Sequence, residues 1–297
     1  GAVEFYDASI ERGIHPILGL EVNVALPVEF APVDHGILVL LAMDRSGWRS
    51  LCRLGSQLNG GEDSLSLDQL SADSAGLICL TGGVRGALAM LLQSFQPQSA
   101  EWWLNGLREI FPHCLYVAME CHTPADQAIL ARLAVLANRI KLPIAAAHDV
   151  HYLYPEQANL QKVVSAIRCI QPLASLKPED VAPANAGFLS QKEMVKRFAH
   201  YPGALTGNAE IVSRCQLTLP LGEPRFPEVD LPAGMSALDR LRQKAEEGAI
   251  RLYPARNMDR DQIQPEVRTR LDHELDVIGT CGYAALFLIV EIGRAHV

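Results

Sequence analysis

Short, almost wholly apolar segments recur along this chain, each followed by a stretch of helical periodicity, and that alternation restricts the fold more than any other feature. Residues 16–26 (PILGLEVNVAL), 37–43, 77–80 (LICL), 114–121 and 143–147 (PIAAA) read as strands. Helices are expected between them at 46–59, 84–93, 98–110 and 124–140. Uninterrupted apolar strands separated by helices indicate a parallel sheet covered on both faces, so the expected class is α/β, as a barrel or a doubly wound sheet. The chain opens in a helix over residues 2–12 that puts Val3, Tyr6 and Ile10 on one face and is stopped by Gly13.

Beyond the strands, helices are expected at 155–170 and 190–200 with a Pro- and Ala-containing loop, 171–187, between them. The segment PLGEPRFPEVDLP has prolines at 220, 224, 227 and 232, too many for a helix or a central strand, and reads as an extended linker. Helical patterns resume at 236–252 and 265–279. With 297 residues and 49% hydrophobic content the chain can bury a real core as one large domain or two ordinary ones. It has no run of about 18 apolar residues and no basic leader followed by an apolar one, so neither a membrane span nor a secretory signal is expected, and a cytoplasmic protein is. Seven cysteines without a CxxC pair suit reduced thiols. The net charge of -8 is concentrated in residues 1–150, which carry 9 Lys and Arg against 16 Asp and Glu. That half is a poor surface for duplex DNA and a reasonable environment for cations.

The clearest chemical signal is Ala145-Ala-Ala-His-Asp-Val-His-Tyr152, directly after a buried strand, at the strand end where α/β folds place their sites. In extended backbone Asp149 and His151 share a side and His148 points away; a carboxylate and an imidazole so placed are a metal-ligand pair, or else Asp149 caps the next helix and His151 is simply packed. Glu21 stands in mid-strand on the face of Gly19 and Asn23, opposite Leu18, Leu20, Val22 and Val24. It either meets a cation or hydrogen-bond donors, or faces solvent on an edge strand. Glu120 and His122 share a face, with His122 at its strand's end, level with the end of the Asp149 strand; a surface histidine before a Thr-Pro helix start is the plainer reading. Thr81-Gly-Gly-Val-Arg-Gly86 fits neither phosphate-binding pattern and reads as a tight turn. Trp102 and Trp103 read as core and boundary residues of a helix, and no G-x-S-x-G or HExxH motif is present.

Taken together, IHPILGLEV, ILVLLAMDRSGWRSLCRL, GLICLTGG, LPIAAAHDVHYLYPEQANLQKVVSAIR, FLSQKEMVKRF, AEIVSRCQLTLPLGEPRFPEVDLPAG and LDHELDVIGTCGYAALFLIV resemble, in order and spacing, the bacterial DNA polymerase III alpha subunit family. The resemblance covers residues 1–290. It implies a partial polymerase and histidinol phosphatase (PHP) domain over 1–219, a distorted (β/α) barrel incomplete at its N-terminus, then a proline-rich linker over 220–235 and the helical start of the polymerase region over 236–290. It further implies a metal site to which Glu21, His122, Asp149 and His151 correspond, holding Zn²⁺ or Mn²⁺ and hydrolysing phosphodiesters from a 3′ end, with Mg²⁺ serving the polymerase region. DNA primer-template and dNTPs are the implied substrates; a sliding clamp and proofreading or repair proteins are the implied partners. The LQKVVSAIR segment points to the error-prone, repair-associated branch.

This chain departs from the family pattern at Ala118, where the strand often has Glu, at His148, where Asn is usual, and at Ile37, where some members carry a ligand histidine, here with His35 two residues earlier. The family's H-x-H motif would lie before Gly1 and its polymerase aspartates after the end of the chain, which reads as an internal fragment. Residues 291–297 (EIGRAHV) read like a translated sequencing adapter. Two other functions fit the same residues: a PHP domain with a degraded site that serves as a structural and partner-binding module, favoured by Ile37 and Ala118, and a free-standing PHP phosphatase, disfavoured by the linker and the segment after it.

Overall fold

The computed structural model describes residues 1–61, 63–177, 180–183, 185–222, 228–253 and 263–294, with side chains through residue 290. The chain forms two compact units, Gly1–Leu219 and Pro220–Val297. The first unit begins with α1 (Ala2–Glu11), β1 (Gly19–Ala25), β2 (His35–Ala42), α2 (Arg45–Asn59), α3 (Leu67–Ala72) and β3 (Leu77–Leu80). It continues with α4 (Ala87–Gln93), α5 (Pro97–Ile110), β4 (Leu115–Glu120), α6 (Gln127–Ile140) and β5 (Ile144–Ala147), and closes with α7 (Ala158–Cys169), α8 (Gln191–Arg197) and α9 (Pro202–Arg214). Helix starts follow their local chemistry. Asp44 accepts the Ser46 and Gly47 N–H groups ahead of α2, and Ser66 and Ser190 form capping boxes with Gln69 and Glu193 at α3 and α8.

The strands pair in the order β1-β2-β3-β4-β5, as an incomplete barrel wall. The sheet is mixed, which corrects the expectation of a parallel one: β2 runs antiparallel to β1 and β3, while β3, β4 and β5 are parallel. An apolar run reports that both faces of a strand are shielded and says nothing about the direction of its neighbour. Residues 26–34 join β1 to β2 without the crossover helix that a parallel pair would need, while β2 and β3 are antiparallel although α2 and α3 lie between them.

The two faces of the sheet differ. Val22, Val24, Leu38, Leu40, Val117 and Met119 point into the main core, which holds the fully buried Trp103 of α5. Trp102, half-exposed, lies edge-on to Phe30 with ring centroids 5.3 Å apart. On the opposite face Ile78, Tyr116 and Ala145 meet Ile211 and Cys215 at the end of α9. Helix α9 was not among the expected helices, because Gly203, Thr206, Gly207 and Asn208 are weak helix formers. Its stability comes from packing on β5: a Cβ on Gly207 would lie 2.1 Å from the Ile144 carbonyl oxygen, and the Asn208 amide donates to the Ala146 carbonyl at 3.0 Å. The seven cysteines form no disulfide.

The second unit contains α10 (Ala237–Leu252), α11 (Pro265–Thr280) and α12 (Ala284–Arg294). Ser236 and Asp239 form a capping box at α10, and Arg242–Asp272 (2.9 Å) and Arg268–Glu246 (2.7 Å) tie α10 to α11 over the buried Ala249 and Leu275. The described parts of the proline-rich segment, 220–222 and 228–235, contain neither helix nor strand; residues 223–227 lie outside the described residues. Helix α12 runs to Arg294, and the side chains of 291–297, with the adapter reading placed on them, also lie outside them. Among the described residues no single helix is long and apolar enough to cross a membrane.

The close approach at Gly207 gives a paired prediction. Gly207→Ala should lower the free energy of unfolding by about 1–3 kcal/mol, the usual cost of overpacking. Gly106→Ala, in α5 with nothing within 4 Å of the added methyl group, should raise it by about 0.5–1 kcal/mol. Urea unfolding of the two variants against the parent checks both signs.

Candidate functional site

The strand register places the acidic residues on the α9 face of the sheet. Glu21 pairs with Val39, Val39 with Leu80, and Leu80 with Tyr116; two and four residues further along β4 come Ala118 and Glu120, opposite Ala145 and Ala147 of β5. Asp149 follows two residues after Ala147. Because side chains alternate along a strand, Glu21, Glu120 and the end of β5 share this face, and the apolar Ile37, which pairs with Asn23, lies on it too.

A glycine turn organises the site. After β3 the chain passes through Gly82 and Gly83 at φ +77° and +61°, into a single turn of 3-10 helix, Gly83–Arg85. Both are conformations that side-chain-bearing residues rarely adopt, and no side chain fits here: a Cβ on Gly82 would lie 1.9 Å from the Ile37 carbonyl oxygen, and one on Gly83 1.9 Å from Glu120 Oε2. That same Glu120 oxygen accepts the Val84 N–H at 2.9 Å. The turn therefore rests on a buried carboxylate, and it presents Arg85 to the acidic face. Arg85 Nη2 lies 3.0 Å from Asp149 Oδ2 and 3.2 and 3.4 Å from the two Glu21 carboxylate oxygens. His151 Nε2 stands 3.1 Å from the same Asp149 Oδ2.

A second cluster lies deeper. Glu120 Oε1 is 2.6 Å from His122 Nε2, with both side chains about 95% buried (6% and 4% exposed). The His122 N–H donates to Asp126 Oδ2 at 2.8 Å, and its ring lies 4.7 Å from that of His148, centroid to centroid. His122 Nδ1 is buried and has no hydrogen-bond partner among the described residues. His148 Nε2 donates to the Gly187 carbonyl at 2.8 Å, while its Nδ1 accepts from Arg197, 3.3 Å away, which also donates to the Cys121 carbonyl. Those contacts set the tautomer with the proton on Nε2. Burial holds the His148 imidazole below its ordinary pKa, opposed by the Gly187 carbonyl and reinforced by the neighbouring His122 and Arg197.

Of the residues singled out in the sequence, Glu21, Asp149 and His151 come together, but around a guanidinium. His122 makes no ion pair or hydrogen bond to any of those three; its ring is held by Glu120. Among the described residues no group of three or more His, Cys, Asp or Glu side chains is arranged to hold a metal ion. As placed, the donor set does not fit the divalent ions that the resemblance implies: the carboxylates nearest each other are bridged by Arg85, and Ile37 and Ala118 supply no ligand atom on the same face. Sequence reasoning passed over Arg85, whose only signal was a lone cation in a glycine turn after a strand, and Arg197, which had none.

The comparisons agree with this architecture. Residues 1–122 match the PHP domain family, a span that takes in the sheet through β4 together with Glu21, Arg85, Glu120 and His122. Over nearly its whole length it is similar to DNA polymerase III subunit alpha: 30% identical over 298 residues to that of Haemophilus influenzae, 28% over 293 to that of Bacillus subtilis and 29% over 298 to that of Pseudomonas aeruginosa. The matches cover 97–98% of this chain and 25–26% of each relative, so the chain spans about a quarter of the length of the relatives it matches.

Two predictions follow from the buried cluster. Glu120→Ala strips the acceptor from both the Val84 N–H and His122, and should destabilise the fold by about 3 kcal/mol, measured by urea unfolding. His148 should titrate below the ordinary imidazole value of 6.5, and Arg197→Gln should move its midpoint upward; the ring C–H resonances in NMR report both. Because the folded-state value is the lower one, the stability linked to His148 is complete above about 6.5 and is lost as the pH falls through the folded-state value.

Proposed function

We propose that this chain is the PHP portion and the beginning of the polymerase region of a DNA-directed DNA polymerase of the III alpha type, and that its PHP portion is a structural and partner-binding module rather than a nuclease. The observation that carries the first part is the similarity to polymerase alpha subunits over 97–98% of the chain, across both units. In that reading the whole protein extends a DNA primer on a template with dNTPs and Mg²⁺. The PHP module gives it a rigid wall against which a clamp, proofreading or repair protein docks. The LQKVVSAIR stretch of α7 supports a place in repair synthesis.

The second part rests on Arg85. A 3′–5′ exonuclease of this class needs clustered metals to activate water and to neutralise the departing oxygen. Here the carboxylates that would bind them are both engaged by one guanidinium, which offsets one of their two negative charges. A free-standing phosphatase would share the PHP match, but the similarity to polymerase subunits continues through α10 and α11, which counts against it.

The test uses the full-length protein that contains this chain. Template-directed primer extension with dNTPs and Mg²⁺ is expected, and its absence from a folded, pure preparation would overturn the polymerase reading. Incubation of an end-labelled DNA with Mn²⁺ or Zn²⁺ should give no 3′-end hydrolysis attributable to the PHP portion. Hydrolysis that disappears in Asp149→Asn while extension persists would restore the exonuclease.

A further inference from the structure

We infer that Arg85 is the resident cation of the acidic mouth, occupying by its guanidinium the position between Glu21 and Asp149 that a divalent ion would otherwise take. Two carboxylates brought to one face of a sheet repel each other unless a positive charge lies between them. Arg85 supplies a positive charge between them. One nitrogen, Nη2, is shared: 3.0 Å from Asp149 Oδ2 and 3.2 Å from Glu21 Oε2. A metal ion would need those oxygens at about 2.0–2.2 Å, so ion and guanidinium compete for the same atoms.

Arg85 is also not a loose surface side chain that has found two partners by chance. Its backbone is the end of a turn whose positive φ values and close contacts leave no room for a side chain at two successive positions, and that turn is seated on Glu120 through the Val84 N–H and the contact at Gly83. Glu120 in turn is buried and held by His122. The chain of contacts thus runs from a carboxylate in the interior, through a rigid turn, to a cation delivered at the mouth. Glu120 is a positioning residue for Arg85, acting through the backbone. The inference concerns this mouth alone and is independent of whether the full-length protein extends primers.

The experiment measures Mn²⁺ binding near neutral pH, by the loss of the free-ion electron paramagnetic resonance signal, for the chain and for Arg85→Gln, Arg85→Lys and Arg85→Gln/Asp149→Asn, with far-ultraviolet circular dichroism as the check on folding. Arg85→Gln should bind Mn²⁺ about tenfold tighter than the parent or more. Arg85→Lys, which keeps the charge, should gain much less, and the double variant should lose the gain. Equal Mn²⁺ affinity in the parent and in folded Arg85→Gln, whether strong or absent, would overturn the inference, because the arginine would then not be competing for the carboxylates. Should Arg85→Gln fail to fold while Arg85→Lys folds, the need for a cation is read through stability and the inference stands. Failure of both variants to fold would overturn it, since the shape of the side chain and not its charge would then be what matters.

Discussion

Glu120 is the interaction on which the rest of this site depends. A carboxylate at the end of a central strand, some 95% buried, persists only if donors satisfy it, and here they come from two directions: the His122 ring at 2.6 Å and the Val84 N–H at 2.9 Å. The first contact ties the end of β4 to the histidine cluster. The second fixes the glycine turn after β3. A position that an apolar residue could have filled instead couples two adjacent strands at the end where the functional side chains emerge.

The sheet itself explains why the charges gather there. One of its faces is committed to the main core. The other is divided, with α9 covering the end around Tyr116 and Ala145 and the acidic residues occupying the remainder. The close seating of Gly207 on the Ile144 carbonyl keeps α9 tight to β5, immediately before the segment that carries His148, Asp149 and His151. His148 and Asp149 then point to different places: the former to Gly187 and Arg197 in the deeper cluster, the latter to Arg85 at the mouth. Adjacent residues in extended backbone do this as a matter of geometry, and it separates an interior network from an ion-paired surface one.

The consequence is a mouth whose two carboxylates are held together by a cation of the polypeptide itself. Arg85 and His151 both approach Asp149 Oδ2, leaving that oxygen engaged from two sides.

Much of this was readable from the sequence. The helices α2, α5, α6, α10 and α11 lie within a few residues of their expected bounds, because periodicity and capping are local properties. The sharing of one face by Glu120 and His122, and the common side of Asp149 and His151, follow from strand alternation alone. Other features depended on partners distant in the chain. Strand direction was set by how the strands pair in the folded sheet, α9 by its contact with β5 against its own weak propensity, and the meeting of Glu21 with Asp149 by a side chain 64 residues from each. What the sequence by itself determined is which residues face which way within each element; what only the tertiary structure decided is which charge neutralises which, because long-range electrostatic pairing depends on where the folded backbone delivers an arginine, and a glycine turn seated on a buried carboxylate has no signature in the residues beside it.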